Sequence, residues 1–244
     1  MPLILKKNPS LESIFHRESP MVFMVLGFQT VWCRLMNKNY AQIERQELCD
    51  LFESVGPDHP TLCEGWNAAD LAAHLVLREN SLKAFGLVVP GYLAKKLAKA
   101  TKQLARKKPF EELVDKVRSG PPLYLKRFDE AMNLFEFFVH HEDVRRGVPG
   151  FTPRTDINDL EDALWAKQER FSKLLVRGLK GVDIKLLNSS GETIHLGGGG
   201  KPVVLEGKPS ELALFLFGRR DNSEVKLSGD AEAINEINTG KLGG

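Results

Sequence analysis

The sequence predicts a mainly α chain that becomes α+β in its second half: a helical bundle followed by a small α+β domain. Three observations carry this. Apolar residues recur at helical spacing in four or five segments between Tyr40 and Arg146. Short strand-like runs divided by Asn-Ser-Ser-Gly and Gly-rich turns appear only after residue 180. The 244 residues are 42% hydrophobic and 27% charged, the balance of a globular chain.

Residues 1–38 precede the helical pattern. Their longest apolar run, Met21 to Cys33, is broken by Gln29 and Thr30 and falls short of the ~20 residues a bilayer requires. As a secretory signal it is weak, because Glu12 and Glu18 sit among Lys6, Lys7 and Arg17 and no small-x-small cleavage site follows Phe28. The plainer expectation is an N-terminal extension read in frame ahead of a start at Met36.

Residues 39–150 are expected to form the bundle. Ile43, Leu48, Leu51, Phe52 and Val55 set a helix from Tyr40 to Val55, stopped by Gly56-Pro57. A loop over 57–66 follows, and Asn67 caps a helix from Ala68 to Phe85, with Asp70 at its positive end. Tyr92 to Lys108 carries seven Lys/Arg and no acid beside Leu93, Leu97 and Leu104. Such a segment can meet an anionic surface, but a solvated basic face is the commoner outcome, and Glu111, Glu112 and Asp115 follow at once. Helices from Phe110 to Arg118 and from Asp129 to Arg146 complete this half.

Residues 151–244 are expected to form the α+β domain. A helix from Asp156 to Gly178 leads to strands Val182–Leu187, Thr193–Leu196 and Val203–Leu205. Ser210 is positioned to cap a helix from Glu211 to Phe217, followed by a strand Glu224–Leu227 and a helix Ala231–Asn238.

The chemistry concentrates on the helix 129–146. Glu136 and His140 are four residues apart, one above the other on a helical face, among Phe135, Phe137, Phe138 and Val139. An unpaired carboxylate there would be costly, so a counter-charge is expected, and a divalent ion is one candidate. On this helix alone, a solvent-facing glutamate and a hydrogen-bonded core histidine are the commoner arrangement. His74, within Asp70-Leu-Ala-Ala-His-Leu, shifts the balance if the two helices pack face to face. Two His and one carboxylate leave a coordination position open and fit zinc or non-haem iron alike. Asp70 is a candidate acceptor for an imidazole N–H, or simply an N-terminal acid. His141, Glu142 and Asp143 are expected to point away around the helix, toward Arg145, Arg146 or solvent. Cys63 could be a nucleophile in a loop, though a buried thiol is more common.

Sharper motifs fail. His141-Glu142 is followed by Arg145 where a zincin requires His, and Pro202 replaces the Ser/Thr of a phosphate loop after Gly197–Gly200. No GxSxG elbow is present. A net charge of +2 gives no general case for nucleic acid, and three cysteines without CxxC spacing fit a reducing, cytoplasmic compartment.

Thr61-Leu-Cys-Glu-Gly-Trp66, then Asp70-Leu-Ala-Ala-His74-Leu, then Glu136-x-x-x-His140 resemble the DinB/YfiT-like metalloprotein superfamily, within it the mycothiol-dependent maleylpyruvate isomerase metal-binding group. The resemblance spans Tyr40 to the end of the chain. It implies a DinB-like four-helix bundle holding a divalent metal, zinc first, on His74, Glu136 and His140, followed by a sterol-carrier-protein-like α+β domain. It further implies a low-molecular-weight thiol such as mycothiol as co-substrate, a small-molecule substrate, and Arg219 or Arg220 as the thiol- or substrate-binding arginine. The family's Ala-x-Asp after the second histidine is His141-Glu142-Asp143 here, which leaves the substrate open. The function this predicts is metal-dependent thiol transfer or isomerisation; the alternative is a non-catalytic metal-binding or regulatory module.

Overall fold

The computed structural model describes residues 38–79, 91–121 and 129–242. The expected extension over residues 1–37 and the continuation of the second helix from residue 80 to Phe85 lie outside the described residues.

Helix α1 (Tyr40–Val55) starts where Asn39 Oδ1 accepts the Gln42 N–H at 2.9 Å and ends at Gly56. Helix α2 (Ala68–Glu79) starts after Asn67, whose Oδ1 accepts the Asp70 N–H at 3.0 Å, the cap its sequence predicts. Helices α3 (Gly91–Lys107), α4 (Phe110–Ser119) and α5 (Asp129–Arg145) follow. Helix α1 packs on α4 and along α5, while α2 packs on α3 and α4. Their shared core joins Leu48 and Phe52 of α1, Leu71 and Leu75 of α2, Leu113 and Val117 of α4, and Phe137 and Val144 of α5. On α3, Leu97 and Leu104 are half-buried while Lys95, Lys96, Lys99 and Arg106 are exposed, the solvated basic face beside a leucine stripe.

Helix α6 (Asn158–Leu175) leads into strands β1 (Val182–Leu187), β2 (Thr193–Gly197) and β3 (Lys201–Glu206), then helix α7 (Pro209–Leu216), a 3-10 turn (Arg220–Asn222), strand β4 (Lys226–Gly229) and helix α8 (Ala231–Thr239). The sheet order is β2-β1-β3-β4, with β1 and β3 parallel and both outer pairs antiparallel. Val182, Ile184 and Leu186 of β1 and Val203 and Leu205 of β3 alternate onto one buried face. That face is covered by Leu175 of α6, Leu212 and Phe215 of α7, and Ala233 and Ile237 of α8.

Ser210 is not the cap of α7. The helix begins one residue earlier at Pro209, and Ser210 lies in its first turn, its N–H and Oγ both donating to Glu161 of α6 at 2.7 and 2.6 Å. Glu161 supplies the negative group that a helix N-terminus attracts. Proline at the first helical position is favourable because its missing N–H needs no partner there.

The end of α5 is tied to α7. Arg146 donates to Glu142 at 2.6 Å, to both oxygens of Glu211 at 3.0 and 2.7 Å, and to the Asn222 carbonyl at 2.6 Å. Glu211 also accepts the Glu224 N–H at 2.8 Å. Breaking such a fully buried pair from one side leaves a charge uncompensated, at a cost of about 3–5 kcal/mol. This bracing fixes the turn that carries Arg219.

Candidate metal centre

Five polar residues of α5, Asp129, Asn133, Glu136, His140 and Asp143, recur at spacings of four and three. They share one stripe, as apolar residues do along a helix seam. On α2, His74 and Arg78 are one turn apart and face that stripe. Burying polar groups this way is stable only when each finds a partner, and the stripe is cross-linked throughout its length.

At its centre, Glu136 Oε1 lies 3.6 Å from His74 Nε2 and 3.3 Å from His140 Nε2. Ligands roughly 2.0–2.2 Å from a tetrahedral ion stand roughly 3.3–3.6 Å from one another. The Glu136 oxygen therefore stands from each imidazole nitrogen at the separation of two ligands of one ion, and all three donor atoms lie within 4.8 Å of one another. His74, Glu136 and His140, proposed from sequence, are brought together. The tautomer is set on one side, since His140 Nδ1 meets Asp143 Oδ2 at 2.8 Å, turning Nε2 toward Glu136.

His74 lacks that support. Its Nδ1 is buried with no hydrogen-bond partner among the described residues, and its ring packs against Trp66 with centroids 5.0 Å apart. Asp70, expected as an acceptor for an imidazole N–H, does not reach it and stays an acid of the first turn of α2. The acceptor role falls to Asp143, which helix position alone does not distinguish from a residue facing Arg145, Arg146 or solvent. The available signal was its spacing, because a residue three beyond His140 shares its face. Of its neighbours, Glu142 pairs with Arg145 and Arg146 as expected, while His141 meets Glu44 on the opposite side of the helix.

Asp143 gathers a second set of groups. Arg219 forks onto it, Nε to Oδ1 at 2.8 Å and Nη2 to Oδ2 at 2.6 Å. Cys63 Sγ donates to Oδ2 at 3.2 Å, with His140 Nδ1 at 3.8 Å and Arg219 Nη2 at 3.6 Å. Arg219 thus reaches the centre, whereas Arg220 turns away and donates to the Gly240 carbonyl at 2.5 Å. Cys63 is half-buried; Cys49 lies wholly in the core, where burial pushes its thiol up to about 12.

The loop bearing Cys63 and Trp66 is held by short contacts. Leu62 N–H donates to the Asp143 carbonyl at 3.0 Å, and Thr61 Oγ1 to the Trp66 carbonyl at 2.9 Å. Gly147 permits this approach, for a Cβ there would stand 2.1 Å from the Pro60 carbonyl. Gly65 takes the left-handed turn at φ 70° that returns the loop to Trp66.

The electrostatics follow from the same contacts. Burial would raise the Glu136 carboxyl, but the Arg78 guanidinium and the two imidazoles hold it well below the usual carboxylate range. Burial would lower His140, yet Asp143, Cys63 and Glu136 raise it well above an ordinary histidine. His74 is lowered, with burial the larger effect and Glu136 only partly opposing it. The site offers one pre-ionised carboxylate, one readily neutral imidazole, and one imidazole anchored by a second carboxylate. Once His140 gives up its proton, that donor set suits a divalent cation.

Two solved structures share this architecture. One is mycothiol-dependent maleylpyruvate isomerase in a variant with a histidine replaced by alanine, at TM-score 0.54 and 17% identity, over 82% of this chain and 94% of that one. The other is the same isomerase unmodified, at TM-score 0.51 and 18% identity, with the same coverage. The chain has the fold of mycothiol-dependent maleylpyruvate isomerase. By sequence alone, no family model and no curated protein matches. The isomerase fold thus persists here at an identity where side chains, not overall resemblance, must carry any functional reading. No helix among the described residues is long and apolar enough to cross a membrane.

Proposed function

We propose that this protein is a divalent-metal-dependent enzyme that uses a low-molecular-weight thiol of the mycothiol type to isomerise, or transfer the thiol to, a small electrophilic substrate. The observation that carries the reading is the convergence of His74 Nε2, Glu136 Oε1 and His140 Nε2, backed by Asp143 and Arg219, in the isomerase fold. In this reading residues 39–150 are a DinB-like four-helix bundle, residues 151–244 a sterol-carrier-like domain, zinc is the metal, and the protein works in the cytoplasm.

His74, Glu136 and His140 would hold the ion through three donors, leaving a position open. A metal bound there supplies a Lewis acid that lowers the pKa of a thiol in the open position and keeps it as a thiolate. The protein's own groups do the rest. Asp143 fixes the His140 ring so that Nε2 faces the centre. Arg219 places a guanidinium at the same rim, where an anionic group on thiol or substrate can share it with Asp143. Trp66 and the loop 57–66 wall the His74 side with an aromatic face.

The test is elemental analysis of wild-type protein beside Glu136→Ala and His140→Ala, followed by assay with mycothiol and a panel of small electrophiles. Near-stoichiometric metal lost in both variants, with thiol-dependent turnover, is the expected result. Metal without turnover across the panel would leave a metal-binding module, and metal-free wild type would end the reading.

A further inference from the structure

We infer that Arg78 is the positioning residue of this centre, holding Glu136 Oε1 before both imidazoles ahead of any ion. The inference rests on the metal reading above and adds to it a residue that no ligand pattern in the sequence singles out. Glutamate on a helix has three rotatable side-chain bonds, so a carboxylate that must meet two imidazoles needs something to fix it. Arg78 does this from α2, with Nε 2.9 Å from Glu136 Oε1.

Arg78 is itself aimed. Its Nη1 donates to Asn133 Oδ1 at 2.6 Å, and Asn133 Nδ2 donates to Asp129 Oδ1 at 2.6 Å. Arg45 Nη2 meets that same Asp129 oxygen at 2.7 Å. Arg45, wholly buried, is fixed in turn by Glu79 and by the Val117 carbonyl, the latter at 3.2 Å. The chain of contacts crosses from α1 through α5 to α2 and ends on the ligand carboxylate. Asp129, Asn133 and Glu136 stand at spacings of four and three on α5, so one helical stripe delivers the whole sequence of partners.

The arrangement separates positioning from mere charge balance. Arginine directs Nε and Nη1 at two different acceptors from one rigid plane; lysine is a point charge and cannot reproduce that. Ligating carboxylates elsewhere are held by such outer contacts, and losing one costs roughly 10–100-fold in metal affinity.

The experiment measures Co²⁺ affinity and the visible Co²⁺ spectrum of full-length wild type, Arg78→Met, Arg78→Lys and Asn133→Leu, with circular dichroism of each metal-free protein as the fold control. Arg78→Met is expected to bind roughly 10–100-fold more weakly with a shifted spectrum. Arg78→Lys should be intermediate, and Asn133→Leu, which removes no charge, should weaken binding in the same direction. If Arg78→Met does not fold, the other two variants still decide. Wild-type affinity and spectrum in Arg78→Lys and Asn133→Leu would reduce Arg78 to a counter-charge and overturn the inference. Tighter binding in Arg78→Met would also overturn it, by showing that the guanidinium only opposes the ion. A wild type that binds no Co²⁺ removes the metal reading itself, and this inference with it.

Discussion

His140 and His141 are adjacent on α5, both buried and both against carboxylates, yet they belong to different kinds of site. His140 shares Glu136 with a second imidazole, and all three donor atoms lie within 4.8 Å of one another. His141 Nδ1 meets Glu44 Oε2 at 2.9 Å, with half-exposed Glu47 as the third member of a similar cluster. There, however, Arg154 takes both oxygens of Glu44, at 2.8 and 3.0 Å, and its Nε lies 2.8 Å from Glu142. A guanidinium fork thus already balances the charge of Glu44 through both of its oxygens. Three donors within reach do not by themselves make a metal centre; a carboxylate already held through both oxygens by one guanidinium has less charge to offer a cation.

Removing each histidine in turn should separate the two clusters most strongly. His140→Ala should lose bound metal by roughly 100-fold or more in affinity, since one of three protein ligands disappears. His141→Ala should keep wild-type metal content. Equal metal loss in both variants, read by elemental analysis, would erase the distinction between the two clusters.

Next in size, Glu44→Ala should destabilise the fold by about 3–5 kcal/mol in denaturant unfolding, because it leaves Arg154 buried without its fork partner. Its metal content should not change. A silent Glu44 variant would mean that the Arg154 cluster does not brace α1 against α5.

A smaller effect separates the sites by pH. Burial opposes it, but His140 and Arg219 hold the Asp143 carboxyl down to about 2, below its ordinary 3.8. A depressed acid stabilises the fold above its unfolded pKa, and that stabilisation is lost as pH falls through the folded value. Metal-free protein should therefore lose on the order of 2 kcal/mol between about pH 4 and pH 2 that Asp143→Asn does not lose. Parallel pH profiles for the two proteins would contradict the assignment of Asp143 as a charged acceptor.

The smallest expected difference is chemical. Cys63, half-buried at the rim of the candidate centre, should be alkylated in the native protein, while Cys49, wholly buried with its thiol pushed up to about 12, should react only on unfolding. Peptide mapping after native alkylation reads this directly, and labelling at Cys49 under native conditions would show a looser core than the one described.

The order of helices and strands was legible in the sequence because each element announces itself locally. Asn67 caps as read, Gly56 and Gly120 end their helices, and alternating Val182, Ile184 and Leu186 specify a one-faced strand. His74, Glu136 and His140 were also within reach, since a spacing of four and one more histidine on a neighbouring helix suffice to nominate them. The sequence alone thus determined the elements, their periodicity and the nominated donors, because these depend on residues a few positions apart.

Tertiary structure decided the rest. Asp143 became the acceptor behind His140 because Arg219, 76 positions later, arrived to share its charge. Ser210 yielded its cap role because Glu161 came within reach from α6. Arg78 gained its place only through Asn133 and Asp129. Each of these outcomes turns on which partner satisfies a buried charge, and burial strengthens the right pair as much as it penalises an absent one. Such partners are chosen by packing between distant segments, so local sequence can list the charged residues but cannot say which two will meet.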